Sequence, residues 1–111
     1  MIRIASKPRK YRNEPVVIDG IRFDSKRESI RWHVLRLLER AGDIKDLKRQ
    51  VRYQLTAHDK PVTVYVGDFE YFDNATKATV TEDVKGVETD VFKLKAKLFA
   101  AQYGREIKVT K

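Results

Sequence analysis

The sequence predicts an α/β layer fold, with helices packed on a mixed β-sheet. Three observations carry that expectation. Apolar residues recur at helical spacing in two stretches, each opened by a capping residue and closed by a glycine. Between the two stretches lie three runs of strand character joined by polar turns. A last short strand follows the second helix, and the connection to it is long enough for a parallel crossover.

Each element can be justified in order. Val16-Val17-Ile18, Asp19-Gly20 and Ile21-Arg22-Phe23 read as a hairpin with an Asp-Gly turn. The first helix starts at Asp24 or Ser25, where Ser25-x-x-Glu28 fits a capping box. Ile30, Val34, Leu37, Leu38 and Ala41 are its expected buried stripe, widened by Trp32 and Leu35, and Gly42 is its stop. Leu47, Arg49, Val51, Tyr53 and Leu55 alternate with polar residues and predict a two-faced strand. His58 to Pro61 turns the chain. In the run Val62 to Phe72, Val62, Val64 and Val66 share a face with Asp68 and Glu70, and Tyr65, Phe69 and Tyr71 take the other. Asp73-Asn74 turns again, and Lys77 to Lys85 returns as the third strand. Thr89 or Asp90 caps the second helix, with a stripe of Val91, Leu94, Leu98, Ala101 and Gln102, Phe92 and Phe99 beside it, and Gly104 at its end. Glu106 to Val109 is the last strand.

Composition bounds the function. With 111 residues and 41% hydrophobic content the chain is expected to form one core, divided as a basic arm over residues 1–14 and one domain over 15–111. The absence of cysteine excludes disulfides and thiolate zinc sites and suits a reducing, cytoplasmic setting. No apolar run has the length of a membrane span or the character of a signal peptide. The net charge of +8 favours nucleic acid as partner over a purely solubilising role. In the arm, Lys10 and Arg12 read either as part of a phosphate-tracking tail or as part of a frayed terminus.

Chemistry is suggested by Asp68 and by Asp83-Val84-Lys85. Strands lie about 4.8 Å apart, so carboxylates on one face of adjacent strands can share a cation. Magnesium takes oxygen ligands, here Asp68, Asp83 and the backbone carbonyl of Val84, and leaves room for water and a substrate phosphate. Lys85 would orient that water or stabilise developing negative charge. The competing reading is a pair of surface acids beside a lysine. Glu28 either caps its helix or reaches metal-bound water. Thr89 with the second helix start, followed by Lys93 and Lys97, offers a phosphate track or a solvated face. Gln50 and Arg52 line a polar face that DNA could approach. His33 and His58 lack the partners of a metal or nucleophile site.

An aspartate followed by D-x-K on consecutive strands of an α-β-β-β-α-β order, with a glutamate on the first helix, resembles the PD-(D/E)XK nuclease superfamily. The resemblance lies in Phe23 to Glu28, Gly67-Asp68-Phe69, Glu82 to Gly86, and Thr89 to Phe99. Gly67 stands where the literal pattern has proline. The resemblance implies a restriction-endonuclease-like core and an active site of Glu28, Asp68, Asp83 and Lys85 with Mg²⁺ or Mn²⁺. The likeness is to small phage-type endonucleases related to Holliday-junction resolvases, which implies a homodimer acting on four-way or other branched DNA. Rival readings are a non-catalytic DNA-binding or recombination module, a flap or nicking nuclease, and an RNA-processing nuclease.

Overall fold

The computed structural model describes residues 14–111. Lys10 and Arg12, with the rest of the expected arm up to residue 13, lie outside the described residues.

Strands β1 (Val16–Ile18) and β2 (Ile21–Phe23) form the expected hairpin. Asp19 and Gly20 both take positive φ, 53° and 78°, which matches a primed turn to the twist of the paired strands. Helix α1 (Lys26–Ala41) begins at Ser25, whose Oγ accepts the Glu28 N–H at 3.2 Å, and ends at Gly42 in the left-handed region. Strands β3 (Ile44–Ala57), β4 (Lys60–Asp73) and β5 (Ala78–Val84) follow, then helix α2 (Asp90–Tyr103) and strand β6 (Lys108–Thr110). The larger sheet has the order β3-β4-β5-β6. Its first two pairings are antiparallel and β5 with β6 is parallel, the crossover running through α2. The protein is therefore α/β, with a mixed four-stranded sheet and two helices. No helix among the described residues is long and apolar enough to cross a membrane.

The helices cover opposite faces of the sheet. Tyr53, Leu55 and Tyr65 pack with Phe92 and Phe99 of α2. Ile44, Phe69 and Tyr71 pack with Leu35 of α1, and Trp32, Leu38, Val80 and Val84 join them. Along β5, Val80 and Val84 thus serve the α1 side, while the Thr81 hydroxyl meets Tyr53 on the α2 side.

Two expectations from periodicity are corrected. The first concerns the strands. Tyr53 and Leu55 face α2, but Leu47 joins the α1 cluster, and the Arg49 guanidinium lies 4.6 Å from the Phe23 ring on that side. Same-parity residues change face across Gln50, which adopts a left-handed backbone with φ 51°. In β4 the same exchange separates Tyr65 from Phe69. Strict alternation fails because an irregular residue re-aims everything beyond it. The Val62 and Val66 positions are consequently wet, and the aromatic positions build the core.

The second correction concerns the helix stripes. On α1, Ile30 and Leu37 are 55% and 60% exposed, and Val34 is also exposed. The inward face is Glu28, Trp32, Leu35 and Glu39, the last accepting the Leu47 N–H at 3.2 Å. Two acids on the docked face hide it from a hydrophobic pattern. On α2 the inward positions are Phe92, Ala96, Phe99 and Tyr103, and Val91 and Leu94 are exposed.

Candidate active site

Strands β4 and β5 are laddered from Asp73↔Ala78 to Phe69↔Glu82, and there the pairing stops. One step further the register would set Asp68 opposite Asp83. At that step the Asp68 Oδ2 accepts the Val84 N–H at 2.8 Å, so a side chain occupies the place of a strand partner. In an extended strand the N–H and C=O of one residue point to the same side. The Val84 carbonyl therefore faces the same gap. Gly67 serves this junction by its size. A Cβ there would stand 3.1 Å from Thr81 Cγ2 and 3.4 Å from the rings of Tyr53 and Tyr65.

Asp83 is buried, and its Oδ2 accepts the Tyr65 hydroxyl at 2.7 Å. Lys85 Nζ lies 3.7 Å from the same oxygen and 4.8 Å from the Phe92 ring centroid. The structure thus brings Asp83 and Lys85 to one face, as alternation predicts. The Asp68 carboxyl is within hydrogen-bonding reach of both Asp83 and Glu28. Glu28 is only 3% exposed. Its Oε1 accepts the Asp24 N–H at 2.8 Å, and its Oε2 accepts Gln50 Nε2 at 3.3 Å. The helix-start reading of Glu28 is realised on Oε1, while Oε2 faces Gln50.

Three carboxyl groups in a row carry an electrostatic cost. Burial, then the hydrogen bond and charge of Asp68, push Asp83 up to about 8. The same causes in the same order push Glu28 up to about 8. Burial and the charge of Asp83 raise the Tyr65 phenol, which stays a neutral donor. The neighbouring acid behaves otherwise. Burial alone would raise Glu82, but hydrogen bonds from Arg31, Tyr71 and Thr110 outweigh it and hold its carboxyl below the ordinary range. Glu82 lies on the opposite face from Asp83, as its place in the strand predicts.

Among the described residues no group of three or more His, Cys, Asp or Glu side chains is arranged to hold a metal ion. The donor set that is present suits a hard divalent cation instead of a cage. Asp68 and Asp83 supply two carboxylates, the Val84 carbonyl faces the same gap, and magnesium characteristically keeps waters in its remaining positions. The raised proton affinity of both flanking acids follows from burial and from Asp68 between them, and a cation held there would lower it.

Of the residues expected to meet DNA, Gln50 touches the site directly through Glu28. Thr89 caps α2, its Oγ accepting the Phe92 N–H at 3.1 Å. Lys93 and Lys97 are exposed on that helix, and Arg52 is exposed on β3, none with a bond to the acids. His33 and His58 are exposed. Trp32 stacks on Phe69 with centroids 6.0 Å apart and belongs to the core. Tyr65 was not legible as a site residue, since its sequence position reads only as a packing aromatic.

A protein family described as "Protein of unknown function (DUF1064)" matches residues 8–111, nearly the whole chain, and the chain belongs to it. No curated protein and no solved structure matches the chain.

Proposed function

We propose that this member of the DUF1064 family is a magnesium-dependent endonuclease with a PD-(D/E)XK core. In this reading it hydrolyses phosphodiester bonds in branched DNA as a Holliday-junction resolvase. The observation that carries the reading is the convergence of Glu28, Asp68 and Asp83 at the end of a strand ladder, beside Lys85. A binding module gains nothing from buried acids where phosphate must approach, since they repel it.

Asp68 and Asp83 would hold the divalent ion, Mg²⁺ or Mn²⁺, with the Val84 carbonyl beside them. The bound ion supplies an acidified water and neutralises charge on the phosphoryl oxygen. Tyr65 fixes the Asp83 carboxyl by donating to Oδ2, and the Asp24 N–H fixes Glu28 by donating to Oε1. Glu28 Oε2, which accepts only a long hydrogen bond from Gln50 Nε2 at 3.3 Å, is the oxygen that would orient water and take its proton. Lys85 Nζ carries positive charge to the face where a phosphate would lie.

The substrate follows from charge and size. A basic chain of 111 residues covers little DNA, and symmetrical cutting of a junction needs two equivalent sites. The exposed row Ile30, Val34 and Leu37 on α1 supports a homodimer, because an apolar stripe facing water is what a second copy would cover.

The test is cleavage of synthetic four-way, flap, nicked and linear DNA with Mg²⁺ and with EDTA. Asp83→Asn and Asp68→Asn should each abolish Mg²⁺-dependent cleavage of the four-way junction and retain DNA binding. Wild-type rates in either variant would overturn the reading. For the dimer, Leu37→Glu should shift the sedimentation coefficient to that of a monomer.

A further inference from the structure

We propose that Arg27 is the phosphate-gripping arm of this site and that Gly86 is its seat. The inference rests on the nuclease reading and assigns the side chain that would hold a non-bridging oxygen of the DNA phosphodiester. Arg27 lies in the first turn of α1, next to Lys26. A helix start carries partial positive charge, so cations there are electrostatically disfavoured. Helix α2 follows the usual rule, with Asp90 in its first turn. Helix α1 carries Glu28 in its first turn, but Arg27 itself has no ion pair or hydrogen bond with any described residue.

Its position is nevertheless specific. The Arg27 guanidinium lies against the Gly86 backbone, where an added Cβ would stand 2.7 Å from Nη1, 3.6 Å from Cζ and 3.8 Å from Nη2. Gly86 has no positive φ, so glycine serves space at this position and not backbone conformation. Gly86 directly follows Lys85 and stands three residues after Asp83. The guanidinium, although its residue is exposed, thus lies against the turn that leads out of Asp83 and Lys85. Lys85 is engaged by Asp83 and by the Phe92 ring. Arg27, against Gly86, is a cation that no described carboxylate neutralises. Its planar fork matches two phosphate oxygens, which an ammonium cannot do.

The proposal is tested with Arg27→Ala, Arg27→Lys, Gly86→Ala and the double variant Arg27→Ala/Gly86→Ala. Cleavage is read with Mg²⁺ and junction binding by fluorescence anisotropy across a salt series with Ca²⁺ in its place. Arg27→Ala should slow cleavage about tenfold or more and reduce the slope of log affinity against log salt by about 1. Arg27→Lys should keep the slope and lose the rate. Gly86→Ala meets only the far end of a flexible side chain, so it should fold with an unchanged melting temperature, reproduce the loss of rate, and add nothing to Arg27→Ala. Wild-type cleavage and salt slope in Arg27→Ala, or additive effects of the two substitutions, would overturn the proposal while leaving the nuclease reading in place. A wild-type protein that cuts no DNA, together with a slope still reduced by Arg27→Ala, would remove the nuclease reading and keep the phosphate site. Loss of any DNA binding by the wild type would remove both.

Discussion

Glu82 and Asp83 are consecutive residues of β5, both buried, and they face opposite sides of one sheet. Glu82 meets a guanidinium, a phenol and a hydroxyl, and its carboxyl is held ionised. Asp83 meets a phenol, a lysine at 3.7 Å and another carboxyl, and its proton affinity rises. The difference teaches that burial of an acid does not mark a site. A site is marked by an acid whose charge the fold leaves unbalanced.

The largest expected effect lies on the balanced side. Glu82→Ala strands Arg31 and should cost about 3–5 kcal/mol in urea denaturation. Asp83→Asn should do the reverse at pH 8 in metal-free buffer and stabilise the protein by at least about 1 kcal/mol. Equal losses from both substitutions would erase the contrast.

The next effect is pH dependence. Folding raises the proton affinity of Asp83 and Glu28 to about 8 each. Between their ordinary values and about 8 the folded state binds more protons than the unfolded one, so stability falls as pH rises through that window. The contribution is fully present below the ordinary carboxylate range and lost above 8. Thermal melts of metal-free protein from pH 5 to pH 8 should show this decline. The double variant Asp83→Asn/Glu28→Gln should flatten it, and Mg²⁺ should restore stability most at the alkaline end.

Smaller effects separate the two phenols. Tyr65→Phe removes a donor from Asp83 and should shift the pH midpoint of the melt series upward, with about 1 kcal/mol of stability lost. Tyr71→Phe leaves Glu82 its guanidinium and should leave the midpoint unmoved. The smallest effect is expected at Gln50. Gln50→Gly relieves a left-handed backbone and should stabilise the domain by about 0.5–1 kcal/mol, while cleavage falls because Glu28 loses a partner. Denaturation and initial rates measured on one preparation check both signs.

Element order and turn chemistry were legible because they are local. Asp19-Gly20, Ser25 with Glu28, Gly42, Thr89 and Gly104 each act within a few residues and each stands where expected. The pairing of Asp68 with Asp83 was legible because strands joined by a short turn are neighbours. The docked faces were legible only in part. Period counting found Trp32, Leu35 and Leu38 but set Ile30, Val34 and Leu37 beside them, whereas the docked face of α1 is completed by Glu28 and Glu39, each accepting a backbone N–H from a residue just beyond its own end of the helix. The exchange of faces at Gln50 was invisible because no sequence rule gives a glutamine positive φ. The Arg27 contact with Gly86 joins residues 59 positions apart and follows only from the packing of α1 beside the end of β5.

In the proposed reading a divalent cation balances the carboxyl row of Glu28, Asp68 and Asp83. Calorimetric titration of the metal-free protein with Mn²⁺ at pH 7, in two buffers of different ionisation enthalpy, tests it directly. Binding should release protons, and Asp83→Asn should lose both the binding and the proton release. Binding that releases no proton, or that survives Asp83→Asn unchanged, would contradict it.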